Sequence, residues 1–354
     1  GTLSMSGVSI SNQLFQVFNV SVFGAMSGAG IFLAQFYGRG NRDGVHNCFR
    51  IKMLLGILIS ILAICIFKVL GPSLISLYLN DDPTDSLTTL NFGKQYMDVM
   101  LIGLIPFAIT QVYSSSLRET GNTVLPMKAS VIAVIVNFCI NYILIFGNFG
   151  FPRLGVIGAA IGTVISRVVN LIIVAGMGAV LVKAKQSPER ITSRKIFAQI
   201  VKIGFPSALE TALYNIAMTF IVRFMNQMDV DGMNVTARSY AIQIANFSYC
   251  VGAALAQANA IMTGWRIGAK EFEECDRGTR KAVLYGLITA TCFSVAFALS
   301  GHFIVHIFTD DTQMINLVVK LLIVDIFLEF GRVTNLVYGQ ALKTSGDAIF
   351  PVIM

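Results

Sequence analysis

LRETGNTVLP, residues 117–126, returns late in the chain as LKTSGDAIFP, residues 342–351. Leu117, Arg118, Gly121 and Pro126 recur as Leu342, Lys343, Gly346 and Pro351, all at an offset of 225. A second pair, YGRGNRD (37–43) and IGAKEFE (267–273), recurs at an offset of 230. A phrase repeated at nearly constant spacing over two thirds of a chain is the mark of an internal duplication.

What is duplicated follows from composition. The 354 residues are 55% hydrophobic and 13% charged, with a mean hydropathy of +0.71. Water-facing domains carry about 25% charge, so this chain cannot clothe a soluble surface. Apolar runs of bilayer-spanning length recur throughout. Nine spans are read: 8–36, 51–71, 94–116, 124–147, 156–182, 201–225, 236–264, 281–303 and 314–340. Unbroken runs such as Ile51–Leu70 do not alternate as barrel strands do, so helices are expected.

Alternate loops hold eighteen of the 26 Lys and Arg, Lys52 and Lys343 counted among them, while Asp81, Asp82, Asp85, Asp229, Asp231, Asp310 and Asp311 gather on the other side. The basic side is read as cytoplasmic, and the charge of +7 as this asymmetry, with no nucleic-acid partner. Six spans separate the repeated phrases, which therefore return to one face. The expected architecture is two parallel six-helix repeats forming two lobes around a central cavity, a transporter plan. Residues 1–182 form the first lobe, 183–202 a cytoplasmic linker and 203–354 the second lobe. Two complete halves would have twelve helices. On this reading the first helix is missing, and the second half stops at the start of its fifth helix.

Six cysteines, Cys48, Cys65, Cys139, Cys250, Cys275 and Cys292, lack paired spacing and are read as packing residues. His302 and His306 have ligand spacing without a third ligand, and are read as interfacial. Gly24, Gly28 and Gly30 are read as sites of close helix approach. The repeated phrase is read as a corner between helices. No P-loop, nucleophile elbow or cofactor motif is found, so no enzyme activity and no cofactor are expected.

Charge within a span is costly, by roughly 2.5–3.5 kcal/mol on insertion scales, and marks function. The last span carries Asp325, Glu329, Arg332 and Asn335 on one helical stripe. The equivalent first-half residues are Met100, Leu104, Phe107 and Thr110, so the polar chemistry is expected in the second lobe. Asp325 and Glu329 lie one turn apart and cannot both ionise cheaply. They are read as a shared site for a proton, a sodium ion or a cationic substrate; the alternative is that Glu329 pairs with Arg332 and locks two helices together. Glu210 is expected near the midplane, about 15 Å into its span, with Tyr214 one turn further on. It binds a cation or, alternatively, bends the helix beside Pro206. Asn137 and Asn141, with Thr163, form a first-lobe cluster that cannot titrate. Arg167 and Asn170 either line a cavity or hydrogen-bond between helices.

Four stretches, NQLFQVFNVSVFGAMSGAGIFLAQFYGRGN (12–41), SLRETGNTVLPM (116–127), GFPSALETALYN (204–215) and LEFGRVTNLVYGQALKTSGDAIFP (328–351), resemble the bacterial multidrug and toxic compound extrusion (MATE) transporters. The resemblance implies twelve helices in two lobes, and a carboxylate from the helix of Glu210. In some members an Asn–Asp pair, here Asn137 and Asn141, helps bind the coupling ion. It implies an antiporter of the bacterial inner membrane, monomeric in the lipid bilayer, that exports organic cations in exchange for Na+ or H+, with Glu210 and Glu329 as the sodium ligands where sodium is the coupling ion. The alternatives are a lipid-linked saccharide flippase of the same superfamily and a non-transporting scaffold or receptor.

Overall fold

Long apolar segments can satisfy their backbone in lipid by coiling, and this chain does so along its length. The computed structural model describes residues 2–76, 83–182, 193–228 and 232–353, with no strand among them. The helices are α1 Thr2–Gly38, α2 Arg42–Ser76, α3 Pro83–Ile102, α4 Leu104–Glu119, α5 Val124–Phe146, α6 Val156–Val182 and α7 Ser193–Met228. They continue as α8 Met233–Ala269, α9 Phe272–Leu299, α10 Gly301–His306, α11 Thr312–Ser345 and α12 Ile349–Ile353. The protein is an all-α, multi-pass membrane protein.

All nine expected spans are helical, but two are interrupted: 281–303 at Ser300 between α9 and α10, and 94–116 at Gly103. Residues 94–116 are not one straight helix: α3 and α4 meet at a 46° bend, with Gly103 between them. Among the described residues, five helices are long and apolar enough to cross a bilayer, six if the bent pair counts as one. The polar-rich α8 and α11 fall short on composition, and α7 contributes a shorter apolar stretch, Leu213–Met225. Most of the expected linker, residues 183–192, lies outside the described residues, as do Asp81, Asp82, Asp229 and Asp231.

The chain divides into two compact units: Gly1–Leu33 with Asn41–Phe205, and Ala34–Gly40 with Pro206–Met354. In the first unit α2 packs on α3 and α4, and α6 on α3, α4 and α5. Phe15, Phe18, Val22, Leu104 and Val112 lie in its core. In the second unit α8, α9 and α11 pack mutually. Lipid is as apolar as Leu, so close fit rather than escape from water holds such helices together. Val333 shows the fit: its two methyl carbons lie 3.2 Å and 2.8 Å from where Cβ atoms on Gly252 and Gly286 would sit. That wedge places one face of α11 deep between α8 and α9.

The repeated phrase is a helix-ending device. Gly121 N–H donates to Arg118 O and Asn122 N–H to Leu117 O; Gly346 N–H donates to Lys343 O and Asp347 N–H to Leu342 O. Gly121 has φ +90° and Gly346 +103°. This is the Schellman termination, which satisfies the last carbonyls by turning the chain left-handed at a glycine. The helices that follow, α5 and α12, begin at equivalent positions, Val124 and Ile349.

The second repeated pair also ends helices with left-handed residues, Gly40 at φ +70° and Lys270 at φ +66°. Within the second unit, the segment Ala34–Gly40 crosses the end of α8 at very close range. A Cβ on Gly38 would overlap Trp265 backbone, and one on Gly268 would overlap Gln35 backbone. Residues 35 and 265, like 38 and 268, are repeat equivalents, so the crossing is symmetric.

These terminations predict unequal responses to substitution. Gly121→Ala and Gly346→Ala each destabilise by about 1–2 kcal/mol, the cost of a Cβ in left-handed backbone. Lys270→Gly removes the same strain and stabilises by about 1 kcal/mol. Thermal midpoints of the purified protein in detergent read all three, and a neutral Gly346→Ala would contradict the assignment.

Candidate functional site

The Val333 wedge determines what happens one turn earlier on α11. Glu329 faces the same interior and is 1% exposed. Arg332 Nη1 donates to Glu329 Oε1 at 2.6 Å, and Nη2 donates to Asp325 Oδ1 at 2.9 Å. Spacings of three and seven residues along one helix permit this double clamp. Arg332 therefore does pair with Glu329, but within α11, so it does not lock two helices together. Two carboxyl groups face one guanidinium.

Glu329 Oε2 is buried without an aligned hydrogen-bond partner, close to the Ser248 hydroxyl. That hydroxyl already donates to Ala290 O at 3.1 Å and accepts from Ser294 Oγ at 3.1 Å. A small serine network from α8 and α9 thus backs the carboxylate. Asn335, the fourth member of the expected stripe, is exposed.

Glu210 is placed elsewhere. Its Oε2 lies 2.5 Å from Lys343 Nζ, an ion pair without hydrogen-bond alignment. Lys343 is fourteen positions beyond Glu329 on α11, about 21 Å along the axis at 1.5 Å per residue. The structure therefore does not bring Glu210 and Glu329 into one site. Tyr214 is 60% exposed. Lys343, a loop base by sequence, is buried.

In the first unit, Asn141 Nδ2 donates to Asn137 Oδ1 at 3.1 Å. Asn137 Nδ2 makes long bonds to Thr163 Oγ1 (3.5 Å) and Ser166 Oγ (3.4 Å), so the expected cluster joins α5 to α6. Arg167 adopts an interhelical role. It lies over the Phe107 ring at 4.9 Å and donates to Gly103 O at 3.3 Å, meeting a carbonyl at the α3–α4 break. Gly103 and Leu104 are the repeat equivalents of Leu328 and Glu329, so the same level of each unit is polar by different means.

The first unit also holds a charge pair that sequence reading missed. Lys52, counted among loop bases, lies inside α2 with its side chain 0% exposed and ion-paired to Glu119 at 2.6 Å. The polar chemistry is thus not confined to the second unit. The signal was available: Glu119 sits within the repeated phrase, where the second copy has Thr344. His306 Nδ1 lies 3.2 Å from exposed Asp310. No group of three or more potential metal ligands occurs among the described residues.

Arg332→Met leaves two carboxylates on α11 without their cation and destabilises the protein by about 3 kcal/mol. The double substitution Glu329→Gln with Arg332→Met recovers part of that loss. Chemical denaturation in detergent micelles checks this, and an unchanged single variant would show that the clamp does not hold in solution.

The MatE family profile matches residues 1–143 and 206–354. Among curated relatives, the chain is 27% identical over 361 residues to an uncharacterized transporter, YisQ, of Bacillus subtilis, covering 99% of this chain and 76% of that protein. It is 28% identical over 361 residues to a probable multidrug resistance protein, NorM, of Thermotoga maritima, covering 99% and 74%. The fold matches a crystal structure of MATE in the straight conformation with a TM-score of 0.86 at 20% identity, covering 100% of this chain and 77% of that one. It also matches an outward-facing multidrug resistance MATE family transporter with a TM-score of 0.82 at 20% identity, covering 100% and 77%.

Proposed function

The chain belongs to the MatE family of membrane transporters, and from that premise we propose that it is a secondary antiporter of a bacterial inner membrane. It exports organic cations in exchange for Na+ or H+ by alternating access. One observation carries the reading: the α11 cluster has two carboxylates to one guanidinium, and Glu329 Oε2 is buried without an aligned partner. Such a site gains by taking up one positive charge. The Ser248 hydroxyl, with its hydrogen already committed to Ala290 O, is an acceptor for a proton on that oxygen.

In the proposed cycle the coupling ion and the exported cation compete for Asp325 and Glu329. Arg332 positions both carboxylates and limits their combined demand to a single charge. The names of relatives such as NorM of Thermotoga maritima support multidrug export. A flippase for pyrophosphate-linked sugars would call for a net positive site, and the α11 cluster has the opposite sign.

Ethidium efflux from proteoliposomes, with sodium and proton gradients imposed separately, tests the proposal. One gradient drives efflux in the wild type, and Glu329→Gln lowers it by about tenfold or more. Wild-type rates in the variant would remove Glu329 from the mechanism. No efflux under either gradient would overturn antiport of organic cations.

A further inference from the structure

Glu119 is the one buried carboxylate among the described residues of the first unit. Lys52 Nζ, from α2, lies 2.7 Å and 2.6 Å from its two oxygens and 3.0 Å from Ser115 Oγ on α4. From α1, Gly30 faces the pair: a Cβ there would overlap the Glu119 carboxylate. Among the described residues, Arg118 on α4 and Cys48 on α2 also act electrostatically on it. The pair thus sits where three helices converge, beside the first helix-ending phrase.

Stability alone does not account for it. Well-packed apolar residues of similar volume hold helices together as well as a buried ion pair, or better. Buried ionisable side chains of membrane proteins mark ion pathways and proton relays. The ammonium also decides which ion can enter. It stands at contact distance from both carboxylate oxygens, so a sodium ion or an organic cation arriving there meets a like charge. A proton needs no separate space, because it bonds to the carboxylate itself.

We infer that Glu119 and Lys52 form a proton-exchange site in the first unit, a reading that rests on the proposed antiport. In the exchange step, hydronium passes a proton to a Glu119 oxygen, one of its O–H bonds breaking as the new one forms and water being left, and the ion pair parts. The Lys52 ammonium keeps Ser115 Oγ as its acceptor. Loss of the proton to water restores the pair. Asn137 and Asn141 cannot titrate, and Glu119 supplies in this unit the proton acceptor that they lack.

Two measurements test the site. The neutral double variant Lys52→Met with Glu119→Gln is compared with wild type in proton-driven ethidium efflux across a pH series, with its thermal midpoint taken in detergent. The inference expects a midpoint within about 5 °C of wild type, efflux lowered by about tenfold and a flattened pH profile. A preserved midpoint with wild-type efflux and pH profile overturns it. The second measurement needs no variant. Wild-type protein in liposomes is treated with dicyclohexylcarbodiimide, which modifies protonated carboxyls in apolar surroundings, and the peptide bearing Glu119 is followed by mass spectrometry. Labelling that changes with pH is expected, and none at any pH overturns the inference. The labelling reads Glu119 even if the wild type moves no ethidium, so failure of the antiport reading stays distinguishable.

Discussion

A charge carried into a bilayer must bring its counter-charge with it, and the interior of this protein is arranged around that constraint. Lys52 meets Glu119, Lys343 meets Glu210, and Arg332 holds both Asp325 and Glu329. Arg167 answers instead to the Gly103 carbonyl at a helix break. Each pairing also selects geometry. The Lys52 pair draws α2 onto α4, the Arg332 clamp stays within α11, and the Arg167 contact ties α6 to the bent pair. Bringing a carboxylate and a base together in low dielectric is costly unless every partner is well placed. The surrounding small residues make that placement possible.

The duplication separates two levels of inheritance. Backbone devices persist: both copies of the phrase make the same terminal hydrogen bonds with a left-handed glycine, and residues 38 and 268 meet each other's helix in the same manner. Chemistry does not persist. Glu329 stands where the first unit has Leu104, and Glu119 where the second has Thr344. The buried carboxylates therefore lie at different levels of the repeat, each with its own base. On the proposed reading, the two units contribute unlike steps to one cycle.

The helical membrane fold was legible because apolar run length and base asymmetry act on whole segments, and because the repeated phrase marks its own helix ends. The α11 stripe was legible too, since four polar residues at helical spacing within one span admit few readings. The pairing partners were not. Lys52 and Lys343 lie near the ends of their apolar runs, where sequence alone cannot separate a snorkelling loop base from a buried one. The ends of α2 and α7 extend well past the apolar segments, to Arg42 and Ser193, so Lys52 and Glu210 stand well inside their helices rather than near a loop. The bend at Gly103 was hidden for a similar reason: glycine permits a break but does not announce one.

The central claim is competition between a coupling ion and an organic cation for the carboxylates held by Arg332. Equilibrium binding of tetraphenylphosphonium to the purified protein, titrated against sodium and against pH, measures that competition directly. The account predicts that one of the two ions displaces the bound cation, and that Glu329→Gln abolishes this displacement. Binding of undiminished strength at every sodium concentration and pH, in wild type and variant alike, would contradict it.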